Sequence, residues 1–196
     1  MTGTLDAAGL SLLFHEARSR NGWVEEVLPE KTWRDLYDLV KFAPTSMNIS
    51  PARFVFVTSE AGKARLLPHI MESNRAKTQT APASVIIGTD MAFYEKLPEL
   101  FPVKPNAKDM FTGNPTMSEV AGFRNGSMQG GYFILAARAM GLDVGPMSGF
   151  DNAGVDAEFF AGTQIKSNFI VNLGHGVDQS FPRLPRLSFE DACQVL

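Results

Sequence analysis

After Pro29 the segment EKTWRDLYDLVKFAP places Trp33, Leu36, Tyr37 and Val40 at i, i+3, i+4 and i+7, one face of a helix that Pro44 ends. The loop TSMNISP follows, and RFVFVT then reads as a buried strand bounded by turn residues. A second helix is expected over 60–71, where Leu66, Leu67 and Ile70 recur and Pro68 should kink it. ASVIIGT, 83–89, is apolar without alternation, so both of its faces should be covered and helices should lie on either side of a sheet.

Residues 91–117 mix aromatic residues with prolines, which suits a loop-rich lid over a pocket better than regular structure. SEVAGFRNGSMQGGYFILAARAMG reads as the central helix. Its small residues, among them Ala121, Gly126, Ser127, Gly130, Gly131, Ala136 and Ala137, weaken intrinsic helix propensity, so a closely packed partner must compensate. SNFIVNLGHG supplies a third strand, and FPRLPRLSFEDACQVL forms a basic, proline-punctuated tail. Between helix and strand lies AMGLDVGPMSGFD, with Gly141, Gly145, Pro146 and Gly149 close together. A backbone so bare offers N–H and C=O groups to a flat ligand, although Gly141 alone is explained as a helix cap.

The length, 196 residues, suits one domain over 1–196 with a core large enough to need no staples. Eighteen basic and twenty-one acidic residues leave a net charge of -3 with no block of like charge, so no nucleic-acid partner is expected. The single cysteine, Cys193, fits a reducing compartment, the N-terminal segment lacks signal-peptide character, and no run is long and apolar enough for a bilayer. A cytoplasmic protein without membrane contact is the expectation.

No GxGxxG after a strand, P-loop, HExxH or CxxC is present, and His15, His69 and His175 stand apart without paired carboxylates, so no metal is expected. Ser148 lies outside the G-x-S-x-G spacing of a nucleophile elbow. An enzyme built from these residues needs a bound cofactor to carry the reaction.

ARSRNGW, FAPTSMNISPARFVF, the helix running into GLDVGPMSGFD, and RLPRLSFED together resemble the FMN-dependent nitroreductase family over nearly the whole chain. Within it, SPARFVF, FYEKLPELFP, AGFRNGSMQ and RLPRLSFEDA look closest to the RutE-like malonic semialdehyde reductases of pyrimidine breakdown. The resemblance implies an α/β (α+β) three-layer fold, a central mixed sheet flanked by helices, and an intertwined homodimer with FMN in a cleft between subunits. It also implies NAD(P)H as co-substrate.

By the same resemblance Arg18, Ser19, Arg20, Arg183 and Arg186 fall in the phosphate and ribityl region, where guanidinium forks suit a phosphate dianion. Which of the arginines touch the phosphate stays open. Asn21 and Asn74 fall at the flavin edge, Pro44, Thr45, Ser46 and Asn48 line the ring beside the first helix, and Pro146, Met147, Ser148 and Gly149 match the loop along one ring face. Two positions depart from the family pattern: Ser148 stands where many members carry glutamate, and Ala52 where many carry Trp.

The implied reaction is hydride transfer from NAD(P)H through FMN to a small acceptor, 3-oxopropanoate (malonic semialdehyde) being reduced to 3-hydroxypropanoate. Arg53 and Arg124 are the candidates for holding its carboxylate, set against plainer readings as a strand-end arginine and a helix-surface ion pair. A broad nitroaromatic or quinone reductase is the rival within the family, and a flavin-binding dimer without turnover the rival outside it.

Overall fold

The structure, a computed structural model, describes residues 3–177 and 182–196; Phe181, the first residue of the tail segment, lies outside them. The elements run α1 (Ala7–Leu10), α2 (Glu30–Val40), β1 (Ala52–Val57), α3 (Glu60–Leu66), α4 (Glu72–Thr80), β2 (Ala83–Asp90), α5 (Leu97–Leu100), α6 (Asp109–Thr112), α7 (Pro115–Ala139), β3 (Asp143–Met147), α8 (Asn152–Phe159), β4 (Ile165–Gly174) and α9 (Phe189–Ala192).

The apolar run of β2 is buried along nearly its whole length because it is sandwiched. Val85 and Ile87 point to one face with Leu36 and Val40 of α2 and Phe133 and Ala137 of α7. Ile86 points to the other, with Leu66 of α3 and Val155 of α8. This is the expected three-layer arrangement.

The sheet order is β1-β2-β4-β3, and every pairing between these strands is antiparallel. Among the described residues the parallel component expected of a mixed sheet is confined to one isolated bridge, Ser19 with Val144. Burial of both faces signals covering layers and says nothing of strand direction, which explains why the pattern alone could not separate the two.

Three further expectations change. The helix over 60–71 is α3 followed by a single 3-10 turn, Leu67–His69, with Pro68 in its first turn, where a missing N–H costs no helical bond. Residues 91–117 are not structureless: a 3-10 turn at Phe93–Lys96, α5 and α6 surround a small core of Phe93, Leu97, Ala107 and Phe111. DVGPM is a strand, β3, at the sheet edge, where Pro146 is tolerated because its ring can face away from β4.

The 25-residue α7 starts at Pro115 under an Asn114 cap that accepts the Met117 N–H at 3.0 Å, and Gly141 follows it with φ +81°, as a left-handed cap requires. As far as Tyr132 its polarity is inverted. It buries Ser118, Gly122, Asn125, Gly126, Gln129 and Gly130 and leaves Met117, Val120, Phe123, Met128 and Tyr132 exposed. The glycines let it approach the sheet, since a Cβ on Gly130 would run into the Phe169 ring and one on Gly126 into Thr89. Among the described residues no helix is long and apolar enough to cross a membrane.

Candidate functional site

The N-terminal strip reaches the site by lying against β3. The Arg20 N–H donates to the Val144 carbonyl at 2.9 Å, and a Cβ on Gly145 would sit 2.6 Å from the Arg20 carbonyl oxygen. The bareness of Gly145 thus serves the chain's own backbone rather than a ligand, and Gly149 likewise faces the side-chain amide of Asn74. What these contacts deliver is position. Ser19 and Asn21 arrive beside the edge strand, and Asn74 beside the turn that follows it.

Helix α4 carries Asn74 and Lys77 and has almost no apolar residues, so polar ties must hold it. Thr78, fully buried, accepts from Asn172 Nδ2 at 3.2 Å and approaches Met147 Sδ at 3.7 Å, while Ser84 Oγ donates to Asn172 Oδ1 at 2.7 Å. A buried chain of this kind is stabilising because each member is answered. At the other end Lys63 Nζ donates to the Gln79 carbonyl at 2.8 Å and to that of Ala81, filling acceptors that the helix leaves open. Burial lowers the Lys63 pKa from its ordinary value, against the opposing pull of Glu60. The Trp23 indole closes the set by donating to the Lys77 carbonyl at 2.9 Å.

The result is a continuous strip. Lys77 Nζ donates to Asn21 Oδ1 at 3.2 Å; one turn earlier on α4, Asn74 Nδ2 donates to the Gly149 carbonyl at 3.1 Å. Among the described residues the N–H groups of Ser148 and Gly149 have no partner within the chain. Ser148 is exposed, whereas Met147 turns its side chain into the core beneath α4 and offers the site only backbone.

Beyond Ser19 and Asn21 the strip opens into a pocket of about 330 Å³ whose described lining includes Arg18, Arg138, Arg183 and Arg186, together with Phe14, Ala17 and Leu184. Arg183 Nη2 ties the tail down by donating to the His15 and Ala17 carbonyls at 2.6 and 2.7 Å. Arg138 donates to the Leu13 carbonyl at 3.2 Å; burial lowers its pKa, with Asp143 opposing and Arg183 adding to that shift. Four guanidinium groups converging on one pocket suit an anion.

Arg20 does not join them. Its guanidinium turns away to Asp143, 3.0 Å from Oδ1, and to the Val177 carbonyl, so its charge is answered inside the protein.

The Pro44–Asn48 segment lies elsewhere. Ser46 N–H donates to Asn125 Oδ1 at 2.8 Å, Asn48 Nδ2 to the Leu100 carbonyl at 2.8 Å, and Ser50 N–H to Thr45 Oγ1 at 3.1 Å. Met47, Asn48 and Ser50 all have left-handed backbones, with φ of 52°, 53° and 39°. Such non-glycine conformations cost about 1–3 kcal/mol each and persist only where tethers over-determine them. The loop leads into β1, at the sheet edge opposite β3. With three strand spacings between them, the two edges stand about 14 Å apart.

The two candidate substrate arginines separate sharply. Arg53 Nη2 donates to Asp90 Oδ2 at 2.7 Å, and its Nη1 donates to the Ser50 and Ala52 carbonyls at 3.0 and 2.9 Å. Three of its five N–H donors are thus engaged within the chain, as the plainer reading of a strand-end arginine has it. Arg124 is exposed on α7 and has no hydrogen bond or ion pair among the described residues, so the helix-surface ion pair weighed against it is absent.

Arg138, which lines the pocket, and Lys77, which meets Asn21 on the strip, are residues that the sequence did not single out. Arg138 sits in the last turn of α7, where a basic residue is ordinary, and Lys77 lies on a helix that no periodicity announces.

The chain matches the model of the nitroreductase family over residues 23–175. It is 58% identical over 193 residues to an NADH dehydrogenase/NAD(P)H nitroreductase of Caulobacter sp. (strain K31), covering 98% of each chain. Among solved structures it resembles a nitroreductase in complex with FMN from Exiguobacterium sibiricum 255-15, with TM-score 0.86, 20% identity and 100% of both chains covered. It also resembles an NAD(P)H:FMN oxidoreductase of Staphylococcus epidermidis, with TM-score 0.83, 18% identity, and 100% of this chain and 99% of that one covered.

Proposed function

Because the chain belongs to the nitroreductase family, we propose that it is an oxidoreductase that holds FMN along the strip from the arginine pocket to Gly149 and uses NAD(P)H to reduce a small acceptor. The observation that carries this reading is the convergence of Arg18, Arg138, Arg183 and Arg186 on one pocket, at one end of a strip whose other end presents N–H groups without a partner among the described residues. A phosphate dianion suits the first and the acceptor atoms of a flavin ring suit the second.

Bound FMN supplies the capacity to take up a hydride and to give it to a second molecule. The residues do the rest. Arg18, Arg138, Arg183, Arg186 and Ser19 hold the phosphate; Asn21 and Lys77 hold the polyol and one ring edge; Asn74 fixes the Gly149 carbonyl and so the direction of the adjacent N–H groups. Fixed donors of this kind favour negative charge where it develops and need no reorganisation during reaction. Pro146 holds its own φ and stiffens the edge that carries them.

A second copy of the chain completes the cleft in this reading, bringing its Pro44, Thr45, Ser46 and Asn48 to the ring. The support is twofold: the sheet-edge separation within one chain, and the exposed apolar residues of α7, of which Phe123 is 61% exposed. Large apolar residues on the outer face of a helix are expected to be covered. The tail from Pro182 onward, exposed throughout with Leu184, Leu187 and Phe189 outward, fits the same cover.

For the acceptor, 3-oxopropanoate is supported by Arg124, a cation with its fork open; a nitroaromatic or quinone is supported by the names of the relatives. The deciding experiment is anaerobic. Purified FMN-loaded protein is bleached with NADH or NADPH, and recovery of flavin absorbance is followed after adding 3-oxopropanoate, a nitroaromatic or a quinone. Faster recovery with the aldehyde acid, lost in Arg124→Ala, supports the first acceptor; faster recovery with the others supports the second; no bleaching by either nucleotide defeats the oxidoreductase reading.

A further inference from the structure

The Arg53 guanidinium is only a third exposed and makes three hydrogen bonds, which is more than an end-of-strand arginine needs. Its partners explain it. The Ser50 carbonyl belongs to the last left-handed residue of the Thr45–Ser50 loop, and the Asp90 carboxylate belongs to the end of β2. Asp90 is itself fixed on two sides: its N–H donates to the Pro51 carbonyl at 2.9 Å, and its Oδ1 accepts the Ala92 N–H, the first turn of the 91–117 segment, at 2.9 Å. Met47 and Ile49 pack into the core of that same segment with Phe93 and Leu97. The loop and the segment over it therefore share a core and one charged tether.

We propose that Arg53 is a positioning residue for the flavin-facing loop: its fork joins Asp90 to the Ser50 carbonyl and so holds Thr45–Ser50 on its left-handed path. This rests on the reading that Pro44, Thr45, Ser46 and Asn48 face the FMN ring. The argument is one of geometry. Three left-handed non-glycine residues relax toward ordinary backbone unless their ends are fixed; Thr45 and Ser46 are fixed by Ser50 and Asn125, and the Ser50 end is fixed by Arg53. One planar group serves Asp90 and two carbonyls at once because its donors form a rigid fork, which a single ammonium cannot reproduce.

The test compares Arg53→Ala, Arg53→Lys and Arg65→Ala with the wild-type holoenzyme. Arg65 pairs with Glu158 away from the loop, so its loss matches the change in charge without touching Ser50. FMN affinity is read from fluorescence quenching, loop geometry from the visible circular dichroism of bound flavin, and fold integrity from the thermal midpoint. Arg53→Ala should weaken FMN by about tenfold or more and change the flavin dichroism, and Arg65→Ala should change neither. Arg53→Lys keeps the pair with Asp90 and should recover the thermal midpoint but not the dichroism. The proposal is overturned if Arg53→Ala lowers only the midpoint, or if Arg53→Lys restores affinity and dichroism together. A wild-type protein that binds no FMN overturns the cofactor reading itself and this proposal with it, whereas wild-type binding matched by Arg53→Ala overturns this proposal alone.

Discussion

Asn74 donates from Nδ2 to the Gly149 carbonyl at 3.1 Å, and the same amide occupies the space that a Cβ on residue 149 would need. The contact couples α4 to the turn after β3 and leaves residue 149 no freedom to carry a side chain. Gly149→Ala should displace the amide and cost about 1–3 kcal/mol from overpacking and the lost bond, with weaker FMN binding alongside. Denaturant unfolding and FMN titration of the same variant measure the two effects; a variant equal to wild type in both would contradict the coupling.

Arg138 is the cation of the pocket that comes from neither end of the chain. If it meets the phosphate, Arg138→Met removes a charge-assisted contact of about 1.5–3 kcal/mol. FMN should then bind roughly 10- to 150-fold more weakly while riboflavin, which lacks the phosphate, is unaffected. Equal weakening of both ligands would place Arg138 outside the phosphate contact.

Phe123 is the most exposed large apolar side chain on the outer face of α7. Phe123→Glu puts a charge on a surface expected to be covered by a second copy, where burying it unpaired costs several kcal/mol. Light scattering should find twice the chain mass for the wild type and the chain mass for the variant. A wild-type monomer that binds FMN at full affinity would refute the shared cleft.

Lys63 sits 6% exposed with its ammonium between carbonyls, and burial holds its pKa below the ordinary 10.5. Between the lowered value and 10.5 the unfolded chain binds more protons than the folded one, so this group makes stability rise with pH through that window. Lys63→Met leaves the Gln79 and Ala81 carbonyls without their donor and should cost about 1–3 kcal/mol. The gap between wild type and variant should widen as pH is raised toward 10.5. Urea unfolding at several pH values checks it, and a gap that narrows would reverse the assignment.

What the sequence made legible follows from what periodicity can express. Leu36 and Val40 mark α2, and the unbroken apolar run of β2 marks a covered strand, because in both cases burial itself writes the pattern. Helix α4 has no such pattern. ESNRAKTQT is held by Thr78, Lys63 and Trp23 through hydrogen bonds to partners distant in sequence, which no local window contains. β3 was hidden by Gly145 and Pro146, residues that argue for a loop until the strip at Ser19–Arg20 is seen to need the first and the edge position to permit the second. The arginines show the same limit. Arg18, Arg183 and Arg186 line one pocket, whereas Arg20 and Arg53 are the same residue type with their charges answered by Asp143 and Asp90, and only the fold tells them apart.

The central claim is that the arginine pocket and the strip leading from it bind a flavin through its phosphate. Titrating the wild-type protein, freed of flavin, with FMN and then with riboflavin tests it most directly. The account predicts that FMN binds about 100-fold or more tightly than riboflavin, corresponding to roughly 3 kcal/mol from the phosphate contacts. Equal affinities, or no binding of either, would contradict it.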